Sequence, residues 1–207
     1  SVTVVDADAE KGLWNYALCE KLLADEDKNA SVISIGPAGE ALLAGASVAC
    51  TDQDRERRPA RHAARGGLGA VMGSKGLKWV LVDPQKAKTR RPEDTKAFMA
   101  KNKSYTSDYL GGAQMFQTGT SAFVQTANML HTFVYKNRTE GQSPDADALD
   151  GARIVEKFEE RGGGMHNCMT GCIVKCSNIV HNADGDYVTS ALEFETITLL
   201  GASCAIS

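Results

Sequence analysis

Three cysteines, Cys168, Cys172 and Cys176, fall within nine residues of one another. Thiolates are soft ligands for zinc and for iron–sulfur clusters. Three of them this close repel one another unless a cation neutralises their charge. A four-iron cluster needs one more ligand. Cys204 is the downstream candidate inside the chain, and the fourth ligand is otherwise expected outside it. Zinc held by the three thiolates with His166 or His181 is a second reading, although zinc sites more often pair cysteines at short loop spacings. A third reading makes them buried thiols, because a step of four keeps side chains on one helical face. The Asn, Thr and Lys residues between Gly164 and Ser177 speak against an apolar helix there, so a metal ranks above buried thiols.

A second constellation is Arg65-Gly66-Gly67-Leu68-Gly69-Ala70-Val71-Met72-Gly73-Ser74-Lys75. Glycines lacking Cβ let backbone N–H groups approach an anion closely. Arg65 and Lys75 can add charge-assisted bonds to phosphate. The order Gly73-Ser74-Lys75 is not that of a phosphate-binding loop, and Gly67, Gly69 and Gly73 are spaced one residue too far for a dinucleotide fingerprint. Read from residues alone, the string favours tight helix–strand packing through small residues. A third candidate is Glu193-Phe194-Glu195. Neighbours two apart on a helix do not share a face, so one carboxylate can turn inward and act as acid or base. The plainer reading is an acidic helix N-terminus.

These residues need elements to hold them. Apolar positions at Leu13, Trp14, Ala17, Leu18, Leu22 and Leu23 predict a helix over Lys11–Leu23. Ser31–Ile35 predicts a short strand and Trp79–Val82 a buried one, stopped by Gly36-Pro37 and Asp83-Pro84. Ala41–Ala49 fits strand or helix, and Thr51–Arg61 reads as a loop. The first portion, 1–83, is therefore expected to be α/β. The Pro-, Lys- and Arg-rich stretch from Asp83 to Asp94 marks a boundary. The second portion, 84–207, is expected to be mainly α-helical. Its helices would open at Pro92, run through Thr120–Thr132 with Ala122, Phe123, Ala127 and Leu130 buried, and follow Ser143-Pro144 with Leu149, Ile154, Val155 and Phe158 buried. Asn182–Gly185 is a turn signal before Tyr187–Thr189.

Hydrophobic residues make up 43% and charged residues 24% of the 207-residue chain, as in a folded soluble protein. A formal charge of −3 gives no global basic field, so nucleic acid is not an expected partner. The basic stretches Arg55–Arg65 and Lys86–Arg91 read as solvated loops. No apolar run is long enough for a membrane span. Clustered cysteines suit reduced thiols in the cytoplasm better than a secreted disulfide framework.

Taken together, the segments resemble the tungsten-containing aldehyde ferredoxin oxidoreductase family. The matching residues are Ile35-Gly36-Pro37-Ala38-Gly39-Glu40, Ala64–Lys75, Leu77-Lys78, Gly119-Thr120, Lys136-Asn137, the three cysteines, and Leu192–Thr196 ending at Leu200-Gly201. The resemblance implies that residues 1–83 belong to the end of a β-rich N-terminal domain, and 84–207 to the first part of the helical, cluster-binding domains. It assigns Arg65, Gly66, Gly67 and Gly69 to a tungsten (or molybdenum) bis-pterin. Cys168, Cys172 and Cys176 become three ligands of a 4Fe-4S cluster, and Glu195 an acid near the metal. It implies oxidation of an aldehyde to a carboxylate, with ferredoxin as electron acceptor. A related branch reduces aromatic thioesters, and a non-enzymatic iron–sulfur or zinc module is a further alternative. Two departures stand out: Ala64 replaces a usual Gly, and the first cysteine gap is three residues rather than two. Family members run to roughly three times this length, beyond a single domain. The chain is thus expected to be an inactive internal segment, with exposed apolar surface and a tendency to form homo-oligomers.

Overall fold

The computed structural model describes residues 1–24, 29–54, 56–85, 87–88, 90–110, 115–169 and 171–206. Arg55 and Lys86, which open the two basic stretches, lie outside the described residues. The chain divides into two compact units, Ser1–Thr89 and Arg90–Ser207.

The first unit is built on four antiparallel strands, β1 (Ser31–Ser34), β2 (Val48–Cys50), β3 (Arg61–Ala63) and β4 (Trp79–Val82), in the order β3-β2-β1-β4. Along β1 the side chains alternate, with Val32 and Ser34 buried, the period of two that a half-covered strand requires. Helix α1 (Asn15–Leu23) packs on β1 through Leu18 and Cys19. The expected stripe is narrower than its sequence pattern: Trp14 and Ala17 face solvent, and Leu13, Leu22 and Leu23 are half-buried. Trp14 is the N-cap residue with extended backbone, so it falls outside the helical period that placed it inward. Part of the stretch expected to be loop becomes β3, because Arg61, His62 and Ala63 pair with Cys50, Ala49 and Val48.

Two short helices complete this unit. Helix α2 (Pro37–Glu40) starts with Pro at its first turn, where the missing N–H costs nothing. Helix α3 (Leu68–Ser74) lies against it. An ion pair then ties the helical layer to the strand edge. Glu40 Oε1 meets Lys78 Nζ at 2.5 Å. The same ammonium donates to the Leu13 carbonyl at 2.9 Å, and the Gly12 N–H donates to both Glu40 oxygens at 3.0–3.1 Å. Burial pushes the Glu40 carboxyl upward, but the Lys78 hydrogen bond, the Gly12 N–H and the charges of Lys78 and Lys11 outweigh it and hold the group below the usual carboxylate range. Lys78 is buried, and a buried cation of this kind requires such a partner.

The second unit mixes helices with a sheet. Helix α4 (Thr95–Tyr105) starts not at Pro92 but after Asp94, whose carboxylate accepts the Ala97 N–H at 2.8 Å. Helix α5 (Met115–Thr118) passes through a 3-10 turn, Gly119–Ala122, into α6 (Phe123–Met129). A 3-10 turn advances faster per residue than an α-helix. That rotates the expected buried face, so Val124 is fully buried while Phe123 and Leu130 are exposed. Ser143 Oγ accepts the N–H of Asp145, the N-cap residue of a 3-10 turn at Ala146–Leu149, and α7 (Gly151–Glu160) begins separately behind Asp150. Phe158 is buried, with Ile154 and Val155 partly covered.

Besides these helices, an antiparallel sheet of β5 (Gly164–His166), β6 (Ser177–His181) and β7 (Tyr187–Ser190) runs in the order β5-β6-β7. A mainly helical second portion is thus only part of the description. Helix α8 (Phe194–Thr196) leads into a wide π-type turn. The core gathers Val124, Phe133, Tyr135, Ala146 and Ala202, with Ala127, Leu149 and Phe194 against it. Beside it, Lys136, Asn137 and Arg138 all hold positive φ, at 45°, 52° and 66°. Three successive left-handed residues are costly for L-amino acids. Two bonds secure them: Lys136 N–H to the Ala202 carbonyl at 3.2 Å, and Asn137 N–H to the Ser203 carbonyl at 2.7 Å. No helix among the described residues is long and apolar enough to cross a membrane.

Candidate functional site

The cysteine segment is the loop of the β5–β6 hairpin. The register pairs His166 with Ser177 as the last rung before the loop. Cys168 and Cys176 follow from opposite sides, just beyond that rung. Residues close across an antiparallel pair bring their side chains within contact, and the two sulfurs lie 3.7 Å apart. Cys172 sits farther out, where its N–H closes a turn on the Met169 carbonyl at 3.2 Å. All three are half-buried cysteines outside any disulfide. The helical, buried-thiol reading fails, because the described residues of this loop form no helix. Among the described residues, no three His, Cys, Asp or Glu groups stand close enough to hold a metal ion together. The fold therefore brings two thiols together and leaves the third at the tip. Cys204, the candidate fourth ligand, is exposed and donates to the Leu199 carbonyl at 3.5 Å.

The base of this loop is firmly held. Lys175 N–H donates to the Phe116 carbonyl at 2.8 Å. Gly119, at φ +67°, would place a Cβ 3.4 Å from Cys176 Cα. On β6, the buried Asn178 grips a distant peptide with both ends of its carboxamide. Its Nδ2 donates to the Leu192 carbonyl at 2.8 Å, and its Oδ1 accepts the Leu192 N–H at 2.9 Å. That peptide precedes Glu193 and Glu195, so Asn178 joins the cysteine-bearing strand to the acidic segment. Sequence reasoning missed this residue, because its partner lies fourteen positions away. Glu195 is exposed in the first turn of α8, and Glu193 caps that helix half-buried.

The glycine string sits in the first unit. Arg65 is exposed. Gly66 holds φ +76°, and a Cβ there would meet nothing within 4 Å. Gly67, the N-cap of α3 at φ +65°, would put a Cβ 2.5 Å from the Ala44 carbonyl. At Gly69 the Cβ would fall 2.5 Å from the Ser47 carbonyl, and Gly69 N–H donates to the Ala46 carbonyl at 2.9 Å. A Cβ on Gly73 would strike the Gly39 carbonyl. Gly67, Gly69 and Gly73 thus let backbone pack on backbone, while Gly66 keeps open space above a left-handed turn. Close by, Ser47 Oγ meets His62 Nδ1 at 2.9 Å. Burial, and then the Arg61 charge, hold that imidazole below its ordinary pKa. Neither residue carried a sequence signal.

Residues 1–84 match the family model of the aldehyde ferredoxin oxidoreductase N-terminal domain, and residues 96–207 match that of its domains 2 and 3. The chain belongs to the aldehyde ferredoxin oxidoreductase family. A tungsten-containing aldehyde ferredoxin oxidoreductase of Pyrococcus furiosus is 31% identical over 180 residues, covering 85% of this chain and 27% of that protein. One from Thermococcus kodakarensis is 29% identical over 204 residues, covering 94% and 31%. The chain therefore spans roughly a third or less of its relatives' length. In fold it resembles the active-site complex BamBC of benzoyl coenzyme A reductase in complex with 1,5-dienoyl-CoA. That match has TM-score 0.61 and 19% identity, and it covers 98% of this chain and 31% of the other.

For an aldehyde ferredoxin oxidoreductase the implied groups are a tungsten centre and its associated cluster. The thiols fit as soft donors, and Cys168 and Cys176 are also drawn together at the loop base, whereas Cys172 fits in chemistry alone. Gly66 fits as well, since the backbone there is open to a close-lying anion.

Proposed function

We propose that this chain is part of an oxidoreductase that oxidises aldehydes to carboxylates at a tungsto- or molybdo-pterin and passes electrons through a 4Fe-4S cluster to ferredoxin. In this reading Arg65 offers a planar guanidinium to a cofactor phosphate. Gly66 lets backbone approach it, while Gly67 and Gly69 fix the turn that presents both. Cys168, Cys172 and Cys176 ligate the cluster, with a fourth ligand supplied from outside these residues. Glu195, exposed at the start of α8, is free to move a proton to or from substrate, and Asn178 fixes the segment that carries it. The bound metal supplies the redox chemistry, and the protein supplies position and electrostatics.

The observation that supports this reading best is the hairpin that closes Cys168 on Cys176 at 3.7 Å, in a chain of this family. Anaerobic reconstitution with ferrous iron and sulfide tests it. The chain should take up iron and sulfide in equal amounts. Cys172→Ser should abolish uptake while shifting folding stability by no more than about 0.5 kcal/mol, as for a surface substitution. A chain that takes zinc and refuses iron would sink the proposal.

A further inference from the structure

The three cysteines are evenly spaced in sequence, so chain proximity alone favours neither Cys168 nor Cys176 as a partner for Cys172 and would pair either neighbour before the two ends. The fold reverses that order. Strand register closes the loop at the His166–Ser177 rung, Cys168 and Cys176 lie two residues and one residue past it on opposite sides, and their sulfurs stand 3.7 Å apart. Cys172 is held out at the turn by its bond to Met169. Both facing thiols are half-buried rather than sealed, so a small oxidant reaches them. A disulfide needs the sulfurs at about 2.05 Å, a closure that side-chain rotation can approach because the strands already fix the two backbones. Of the other thiols, Cys19 is buried and Cys50 half-buried in the first unit, and burial raises the pKa of both. Cys204 is exposed, with its S–H on the Leu199 carbonyl.

We infer that Cys168 and Cys176 form an oxidative modification site: in the metal-free chain a peroxide links them to each other and spares Cys172. The two thiols lose two protons and two electrons and gain one S–S bond, and hydrogen peroxide accepts them to become two waters. The sulfenic acid formed first on either sulfur is resolved by the other, which lies nearest. Closing the bond removes two of the three thiolates that the proposed function gives to iron, so the same loop switches between an iron-receptive and an iron-refusing form. The second half of this inference rests on that functional reading; the pairing itself rests on the hairpin alone.

The test uses the reduced, iron-free chain. It is treated with a small excess of hydrogen peroxide and then unfolded, the remaining thiols are trapped with N-ethylmaleimide, and digestion with mass spectrometry maps the bonds. The expected product is two hydrogens lighter before labelling, with Cys168 linked to Cys176 and with Cys19, Cys50, Cys172 and Cys204 carrying the label. Cys172→Ser should give the same bond. A dominant Cys168–Cys172 or Cys172–Cys176 bond, or no bond at all, overturns the inference. Iron uptake is measured separately on the reduced and the oxidised chain. If the reduced chain takes up no iron, the cluster reading fails while the bond map still decides the pairing. If the reduced chain loads iron, the oxidised chain should load at least tenfold less until dithiothreitol restores it, and equal loading overturns the switch.

Discussion

The two units use their thiols differently, and the glycine string shows the same contrast within one unit. In the first unit Cys19 is buried on α1, and Gly67 and Gly69 lie under backbone carbonyls while Gly66 stays open. In the second, Cys168, Cys172 and Cys176 stand on a loop whose base is held by the β5–β6 pairing. A glycine or a cysteine therefore says little by type. What surrounds its Cβ or its sulfur decides whether it packs or reacts.

The comparison is broken most readily at Gly69. Its missing Cβ faces backbone atoms of Ala46 and Ser47, which cannot rotate aside. Gly69→Ala should cost about 3 kcal/mol, the upper range for overpacking, read from the urea midpoint. At Gly66 only the left-handed backbone opposes a side chain, so Gly66→Ala should cost about 1 kcal/mol. Equal losses at the two sites would end the distinction between packed and open glycines.

Cys19 sharpens the contrast between thiols. Burial pushes it up to about 11 from 9.0. Its folded pKa thus lies above its unfolded one, so the associated stability is complete below about pH 9 and drains away as pH rises towards 11. Cys19→Ala should flatten that alkaline decline in a series of urea melts. Iodoacetamide at pH 8 should label Cys19 about a hundredfold more slowly than an unperturbed thiol, in proportion to its thiolate fraction. Rapid labelling of Cys19 would place it with the loop cysteines instead.

In the second unit the anchor is Asn178. Asn178→Ala leaves the N–H and carbonyl of Leu192 without these partners. The expected loss is about 2 kcal/mol, with faster hydrogen exchange at Leu192 and unchanged exchange in β1. An unaltered exchange rate at Leu192 would show that the acidic segment is held by something else.

Much of this was legible from residue order. Strands β1 and β4 announced themselves by apolar runs cut by Gly-Pro and Asp-Pro, although β4 is not buried, since Val80 and Val82 are exposed. The Asn182–Gly185 turn was visible, but the strand after it was not. Nor were strands β5 and β6. Gly164-Met165-His166 is too short to show a period, and Ser177 and Asn178 are polar residues buried because their partners are remote. Where α6 turns its apolar face was hidden by the 3-10 turn before it. The three cysteines were visible as a group, but their pairing was not, because it depends on a strand register that no local pattern encodes.

One last consequence concerns the order in which the chain becomes structured. The left-handed turn at Lys136–Arg138 is held by carbonyls of Ala202 and Ser203. On a ribosome those carbonyls emerge long after the turn itself. Until they arrive, only local bonds such as Thr139 N–H to the Lys136 carbonyl and the exposed Lys136–Glu140 pair offset the cost of residues 136–138, and the turn is held less firmly. The turn is therefore a late event, set by residues made near the end of this sequence, and a nascent chain halted before Ala202 should stay open to protease at Arg138.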